Sequence, residues 1–282
     1  MTGLQSFPPE ICSLICQHPI LERLDLNAIC FISHAFRNEA QRELSYRFPI
    51  LRGASRVKAW CLSLKCRPHL AKDIKGLVLL LPQPSALYTD DILHLTRALC
   101  ICVNLKELVV LFQGCRRRDS KLEESDFWMS TRNLLSLIFL FKFKLTKFVN
   151  GYFSQDSSTF SRFLMFQPDL ESLELHSGNL TTSLKKTFLR HLKTLSCPPQ
   201  FLDTSYSITR LRLDFEDSTY ECEIDALGLV LCRNFSGNMK SLVISLNQSQ
   251  SHFPEIIRVI AFSNIYIQHL EIHQFLPTQV RP

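Results

Sequence analysis

The stretch DLESLELHSG, from Asp169 to Gly178, places Leu170, Leu173 and Leu175 at the first, fourth and sixth positions of a short unit. A β-strand alone alternates its apolar residues with a period of two, and an amphipathic helix repeats them at about 3.6 residues. Neither period explains this spacing. The same spacing occurs again along the chain, which indicates a repeated structural unit.

Eight segments between Ile74 and Ile272 carry this spacing, and one of them is weaker because Asn150 takes its third apolar position. A single copy would arise by chance in an apolar-rich chain, whereas eight copies resemble the leucine-rich-repeat signature. The resemblance implies that each copy is a short parallel strand of a curved solenoid. In each copy the first apolar residue would turn the chain into the strand, and the other two would point inward. The copies begin at Ile74, Leu105, Leu145, Leu170, Leu192, Ile208, Met239 and Ile267.

The repeats are irregular. Successive copies start 16 to 40 residues apart, whereas leucine-rich repeats typically span roughly 20–29 residues. The asparagine or cysteine that normally follows the strand is mostly missing, so we do not expect asparagine-ladder turns. Periodic apolar residues predict outer helices before the first copy and between several copies, and the expected fold class is therefore α/β. These helices lie in SRVKAWCLSLKC (55–66), TDDILHLTRALCICV (89–103), SSTFSRFLMF (157–166) and FPEIIRVIAFS (253–263).

Composition agrees with a globular chain. Of the 282 residues, 46% are apolar, which is enough for a sizeable core. The start of the chain lacks a basic segment followed by an apolar one, so we expect the eleven cysteines to be reduced thiols in a cytoplasmic or nuclear protein. The most hydrophobic run, LLSLIFLFKFKL, is interrupted by Lys142 and Lys144 and is too short to cross a bilayer. We therefore expect an intracellular protein with no membrane partner.

Three short helices are predicted before the repeats. The first starts in SFPPEICSLICQHP (6–19), because proline suits the first helical turn and Glu10 complements the positive end of the helix dipole. The second lies in LDLNAICFIS (24–33), with Asp25 as the expected N-cap. The third lies in HAFRNEAQRELSYRF (34–48). Three helices in so few residues bury little surface together, so they must pack against the repeats or a partner.

The segment from Phe7 to Leu51 resembles an F-box. The resemblance is carried by FPPEI (7–11), by DLNAICFISHAF (25–36), and by AQRELSYRFPIL (40–51), which is similar to the exit helix and strand of fungal F-box proteins. Phe7 stands where the family usually has leucine, and Phe36 stands where many members have tryptophan. We therefore expect an F-box-like helical module at residues 1–51 and a degenerate leucine-rich-repeat solenoid at residues 52–282.

The F-box resemblance implies a substrate-recognition subunit of an SCF-type E3 ubiquitin ligase, without catalytic residues of its own. The module would bind a Skp-family adaptor, and through it a cullin, by packing apolar helical surfaces together. Two alternatives stay open: the same residues could form only the module's own core or the cap of the solenoid, or the chain could be a repeat scaffold without a ligase role. The expected adaptor contacts are Phe7, Pro8, Pro9, Ile11, Ile15, Leu26, Ile29 and Phe36.

The resemblance to leucine-rich repeats also indicates where a target protein would bind. Side chains that alternate with the inward leucines should face the concave side of the sheet. In the early copies these positions are apolar, and in the later copies they are charged. The candidate target-binding residues are Glu174, His176, Arg210, Arg212, Asp214, His269, Glu271 and His273.

Motifs for other functions are missing from the sequence. It contains no G-x-S-x-G, P-loop, G-x-G-x-x-G or H-E-x-x-H segment. Cys100 and Cys102 lack a second pair at zinc-finger spacing, and His269 and His273 lie on a predicted strand, so we expect no metal and no cofactor. The basic run at 116–118 is followed by acidic residues, which favours a solvated insertion over a nucleic-acid site.

Overall fold

The computed structural model describes residues 7–82, 89–112, 142–152, 158–176, 189–198, 208–215, 231, 239–247, 253–262 and 267–275. Within these ranges the chain forms seven α-helices, one 3-10 helix at Pro68–Asp73 and nine strands. The helices are α1 (Pro9–Gln17), α2 (Arg23–Ile29), α3 (His34–Arg47), α4 (Gly53–Cys66), α5 (Thr89–Ile101), α6 (Ser158–Met165) and α7 (Phe253–Phe262). The strands are β1 (Ile50–Arg52), β2 (Gly76–Leu81), β3 (Glu107–Phe112), β4 (Lys147–Gly151), β5 (Ser172–Leu175), β6 (Thr194–Cys197), β7 (Arg210–Phe215), β8 (Ser241–Asn247) and β9 (His269–Phe275).

The nine strands form one parallel sheet in chain order, from β1 at one edge to β9 at the other. All eight copies of the apolar spacing contain one of these strands, as the sequence predicts. The fourth positions of neighbouring copies are in register, so that Leu77 pairs with Leu108 and Leu108 with Phe148. The fold is therefore α/β with an open parallel sheet, and its order is compatible with a solenoid of stacked units.

The inward side chains of the copies build the main hydrophobic core. Leu77, Leu173 and Leu242, each at a fourth position, are at most 1% exposed. Asn150 is fully buried at a sixth position, where its Oδ1 accepts the backbone N–H of Tyr152 at 3.3 Å. Leu270 is 44% exposed, because β9 is the last strand of the described sheet.

A regular set of backbone hydrogen bonds joins each copy to the next just before the strands begin. The carbonyl of Lys75, at the second position of its copy, accepts the N–H groups of Lys106 and Glu107. The carbonyl of Lys193 accepts those of Thr209 and Arg210 in the same way. Because this double contact recurs in seven successive junctions, it aligns the second positions along one edge of the sheet.

Helices α4–α7 contribute their buried side chains to the same core as the inward leucines. Of the four residues predicted for the apolar face of α5, Ile92, Leu95 and Leu99 are at most 9% exposed, but Val103, beyond the end of the helix, is 41% exposed. The apolar face predicted for α4 included Leu62, which is 42% exposed, whereas its neighbour Cys61 is buried. Successive residues of a helix are rotated by about 100° about its axis. An error of one position in the predicted packed face therefore exchanges a buried residue for an exposed neighbour.

The first three helices form a second, smaller hydrophobic cluster. Helix α1 begins at Pro9 and ends before His18, as predicted. Helix α2 begins at Arg23 and has Glu22 as its N-cap, so the cap predicted at Asp25 was wrong. The Asp25 carboxylate instead accepts the backbone N–H of Glu22 at 2.8 Å, which is half of a capping box.

The helices and the sheet meet between Phe48 and Leu51. In chain order, Phe48 is the last member of the smaller cluster, and Leu51 is the first member of the main core. Strand β1 pairs with β2, with Ile50 opposite Val78. The predicted boundary after Leu51 therefore falls inside β1. None of the helices in the described ranges is long and apolar enough to cross a membrane, and most of the run containing Lys142 and Lys144 lies outside those ranges.

Candidate protein-interaction surfaces

The N-terminal helices expose a concentration of large apolar side chains, which we call the apolar helical face. Their exposed fractions range from 40% to 84%. Within the described residues, this short segment holds eight of the seventeen large hydrophobic residues that are exposed. The face consists of Phe7, Ile11, Leu14, Ile15, Ile20, Leu24, Phe31 and Ile32.

Helix α1 contains more apolar residues than its own core can accept. Cys12 and Cys16, four residues apart, are fully buried against α3. Ile11 and Ile15 occupy the neighbouring stripe of the helix and are 40% and 41% exposed. Leu14 lies on the outer side and is 65% exposed. Small cysteines thus fill the interior, and the larger side chains remain at the surface.

Two of the expected adaptor contacts belong to the interior of the module. Leu26 is fully buried and Phe36 is 6% exposed, and both are members of the small hydrophobic cluster. Ile29 is half-buried and packs against that cluster. A buried side chain presents no surface to a partner, so Leu26 and Phe36 leave the candidate adaptor surface.

The FPPEI segment remains at the surface. Phe7 is 60% exposed, and its ring meets that of Phe36 edge to face, with the centroids 6.1 Å apart. Pro8 and Pro9 are exposed at the start of α1. The expected contacts that stay accessible are therefore Phe7, Pro8, Pro9, Ile11 and Ile15.

Sequence reasoning missed five members of the apolar helical face: Leu14, Ile20, Leu24, Phe31 and Ile32. A signal was present, because three helices of 9, 7 and 14 residues cannot enclose so many large side chains. The F-box resemblance directed attention to the motif positions, whereas exposure depends on how the helices pack together.

The eight candidate target-binding residues share the side of the sheet opposite the inward leucines. We call this side the open sheet face, defined by the third, fifth and seventh positions of the copies. The register aligns Glu174 with Ser196, Ser196 with Arg212, and so on to Glu271 across β5–β9. The early copies have Val78, Val109 and Val149 in the same row, so this row is apolar in the early copies, and in the later copies it is polar or charged except at Val243.

Opposite charges on the open sheet face pair two positions apart along the strands. His176 Nε2 lies 3.0 Å from Glu174 Oε1, and Arg212 Nε donates to Asp214 Oδ1 at 3.2 Å. The hydrogen bond from His176, together with the positive charges of Arg212 and Lys147, holds the pKa of Glu174 below its usual value. Arg212 and Asp214 therefore form a local ion pair, which is possible because residues two apart on a strand lie on the same face of the sheet.

On β9 the carboxylate of Glu271 lies close to two histidines. Glu271 lies 2.7 Å from His273 Nε2 and 3.5 Å from His269 Nε2. The three side chains are on the same face because they alternate along the strand.

Two serines on the open sheet face were not singled out from the sequence. Ser196 and Ser245 are 7% and 4% exposed, and neither hydroxyl oxygen has a hydrogen-bond partner within the described part of the chain. Ser196 lies in the row between Glu174 and Arg212. Their positions follow from the repeat spacing, but serine carries no charge that would have drawn attention to it.

The described cysteines are all free, and burial raises the pKa of several thiols. It raises the pKa of Cys61 and of Cys102 to about 12. In the described ranges, no group of three His, Cys, Asp or Glu side chains has the geometry of a metal site. The segment with the basic run at 116–118 lies outside those ranges.

No family model matches the chain, and no curated protein matches it either. The functional argument therefore depends on the two surfaces themselves. One is an apolar face on short helices, and the other is a charged face on a parallel sheet. Both kinds of surface are suited to binding proteins.

Proposed function

We propose that this chain is a substrate-recognition subunit of an SCF-type E3 ubiquitin ligase. The N-terminal helices bind a Skp-family adaptor, which connects the chain to a cullin, and the leucine-rich-repeat-like sheet binds the target protein. The chain supplies recognition and no catalytic residue. The F-box resemblance of residues 7–51 motivates this assignment.

The observation that carries the proposal is the apolar helical face. Monomeric soluble proteins rarely leave so many large apolar side chains together at the surface unless the patch binds something. Burial of one such side chain contributes about 1.5–3 kcal/mol. Several of them together can offset the cost of association, which is of the order of 4–15 kcal/mol.

The open sheet face supports the second half of the proposal. Its charged candidate residues come from β5, β7 and β9, alternate strands of the sheet, so they present a broad surface rather than a pocket. Ion pairs at such a surface contribute little to folding, about 0–1 kcal/mol each. They are therefore available to select a target by complementary charge.

The test is a pull-down of the full chain with purified Skp-family adaptor. Ile11→Asp with Ile15→Asp would introduce two charges into the proposed interface and should abolish binding. Both side chains already contact solvent in the free protein, at 40% and 41% exposure, so folding should be largely kept. Circular dichroism of the variant checks this.

Leu62→Asp with Leu93→Asp is the matched control, since these helical side chains are 42% and 38% exposed but lie on α4 and α5. The control should bind the adaptor like the unmodified chain. Failure of the unmodified chain to bind any Skp-family adaptor would refute the ligase assignment and favour a repeat scaffold. Equal loss of adaptor binding in both double variants would mean that the apolar helical face is not the binding surface.

A further inference from the structure

A groove of about 900 Å³ lies where the N-terminal helices meet the beginning of the sheet. One wall comes from the end of α1, the following loop and α3. The other comes from the residues that precede β2, β3 and β4. The charged residues of the groove belong neither to the apolar helical face nor to the open sheet face.

The groove carries an excess of positive charge. Six of its lining residues are lysine or arginine and three are aspartate or glutamate, so the excess is three. The whole chain of 282 residues has a formal net charge of +6. Half of that net charge is thus concentrated around one concave site, where facing walls strengthen the electric field.

Two of the cations are already occupied by carboxylates of the groove. Arg47 Nε lies 3.1 Å from Glu43 Oε2, and Lys75 Nζ lies 3.7 Å from Glu22 Oε1. Arg47 also donates to the carbonyl of His18 at 3.1 Å, and Lys75 donates to that of Leu21 at 3.3 Å. These two side chains hold the walls together and are not available to a ligand.

The remaining lysines are differently placed. Lys72, Lys106 and Lys142 are exposed, and none of them forms an ion pair with a residue in the described ranges. Lys144 donates to the carbonyl of Phe166 at 2.9 Å, which positions its ammonium group without neutralising it. Asn104 donates to the carbonyl of Lys72 at 2.7 Å and fixes the backbone beside the groove. Four lysines that form no ion pair within the described ranges therefore line the groove together with the carboxylate of Asp73, and the backbone of this site is held in place.

We propose that this groove binds an acidic peptide segment of a partner protein through charged residues that belong to neither the adaptor nor the target surface. Ile20 is the residue that the groove shares with the apolar helical face. Lysine ammonium groups pair with the carboxylates of such a segment. The carboxylate of Asp73, which also lines the groove, can accept a backbone N–H of such a peptide. Among the described residues, Tyr46 is the single aromatic one in the lining, so this part of the chain supplies no series of stacking platforms for bases.

The experiment measures fluorescence polarisation of a labelled peptide in which glutamate and serine alternate, using the full chain. The unmodified protein should bind it, and binding should weaken with added salt because exposed charges are screened. The triple variant Lys72→Gln, Lys106→Gln and Lys142→Gln removes three ammonium groups. Each of them would form an exposed ion pair with a glutamate of the bound peptide. Since each pair is worth a few-fold in affinity, the triple variant should bind about tenfold more weakly.

The matched control is the triple variant Lys65→Gln, Lys193→Gln and Lys240→Gln. It changes the net charge by the same amount as the groove variant, but at positions outside the groove. Lys193 and Lys240 also occupy the same repeat position as Lys106. The control triple variant should keep the affinity of the unmodified protein. The proposal is overturned if both triple variants lose affinity equally, or if the same peptide with glutamine in place of glutamate binds as tightly.

Two further measurements distinguish a separate peptide site from a nucleic-acid site and from an extension of the adaptor interface. Tighter binding of a single-stranded oligonucleotide through Lys72, Lys106 and Lys142 would overturn the peptide assignment in favour of nucleic acid. The triple variant should still bind the Skp-family adaptor, because none of the three lysines belongs to the apolar helical face. Loss of adaptor binding would make the groove part of that interface and would overturn its separate role.

Discussion

Arg47 connects α3 to the end of α1 through interactions that an apolar side chain cannot replace. It is 5% exposed and pairs with Glu43, one turn earlier on α3. Its guanidinium donates to the carbonyls of Cys16, Gln17 and His18 at the end of α1. Those carbonyls have no partner within their own helix, so Arg47 acts as the C-terminal cap of α1.

We predict that Arg47→Met destabilises the protein by about 3–5 kcal/mol, because it leaves the Glu43 carboxylate buried without its partner. Chemical denaturation followed by circular dichroism measures the loss. The control is Lys193→Met, since Lys193 pairs with Glu171 at the surface, where the two side chains are 61% and 49% exposed. That variant should lose no more than about 1 kcal/mol. Similar losses in both variants would contradict the capping role.

Gly76 is required by the close approach of the helices to the sheet. A Cβ atom at this position would lie 2.6 Å from Cδ1 of Phe48, whose side chain is 5% exposed. Gly76 is the first residue of β2, and Phe48 directly follows α3. The absence of a side chain therefore lets the two hydrophobic clusters meet.

We predict that Gly76→Ala lowers the free energy of unfolding by about 1–3 kcal/mol, because a buried aromatic ring must move. Phe48→Leu in the same chain should recover part of that loss by removing the ring. Thermal unfolding of the single and double variants measures the effect. If the double variant shows the simple sum of the two single losses, the contact is not the cause.

At the scale of single elements, β5 and β7 show how a strand can be structural on one side and functional on the other. In β7 the inward Leu211 and Leu213 are at most 1% exposed, whereas Arg210 is exposed on the open sheet face. Strand geometry alternates these roles at every residue. Substitutions on the open face should thus separate binding from folding.

We predict that Arg210→Glu with Arg212→Glu leaves the melting temperature and adaptor binding almost unchanged, because exposed charges on a strand contribute little to stability. The same change should reduce capture of the target, since it reverses the charge of the surface. Proximity labelling with the two proteins in the native cell compares the captured sets. Identical sets would locate the target surface elsewhere, and a large drop in melting temperature would contradict the strand orientation.

The pairing of Glu174 with His176 on the open sheet face predicts a pH-dependent contribution to stability. The pKa of Glu174 is lowered in the folded protein, so its ionised form stabilises the fold above the unfolded pKa. This contribution is lost as the pH falls through the folded pKa. Because the Glu174 side chain is 38% exposed, we expect less than about 1 kcal/mol.

Glu174→Gln should therefore destabilise the protein at neutral pH, and the difference from the unmodified chain should disappear in acid, below the folded pKa of Glu174. Urea denaturation across this pH range measures the difference. A difference that persists in acid would mean that the substitution acts through packing rather than through charge.

For the molecule as a whole, the distribution of thiols reports on the integrity of the core. Cys197 is fully buried at an inward position of β6, and burial raises its pKa well above the usual value. Cys61 and Cys102, with pKa values of about 12, lie in the helical layer of the same core. Cys66, at the end of α4, is exposed.

We predict that iodoacetamide alkylates Cys66 in the folded protein and leaves Cys61, Cys102 and Cys197 unmodified, because only an accessible thiolate reacts. Peptide mass spectrometry identifies the modified positions. Raising the pH to about 9 should not expose the three buried thiols, whereas denaturant should. Early alkylation of Cys197 would contradict the described packing of β6.

The eight strands of the copies and the four helices α4–α7 could be predicted from the sequence, because both depend on local periodicity. The inward residues of each copy recur at fixed offsets, so burial of that set alone decides where each strand lies and which way its side chains point. Arg210 and Arg212 were thereby predicted on one face, and the described register agrees. The irregular spacing of the copies did not disturb this, since each strand pairs with the next one in the chain.

Other features were decided by the tertiary structure. Leu26 and Leu24 are similar in the sequence, yet one is fully buried and the other is 80% exposed. Which of them faces inward depends on where α1 and α3 lie relative to α2, and helix periodicity alone does not specify those positions. The basic groove likewise joins Lys72, Lys106 and Lys142, which are far apart in the chain. Contacts between distant residues set both features, because packing selects one face of each helix and pairing of the strands brings the segments before β2, β3 and β4 together.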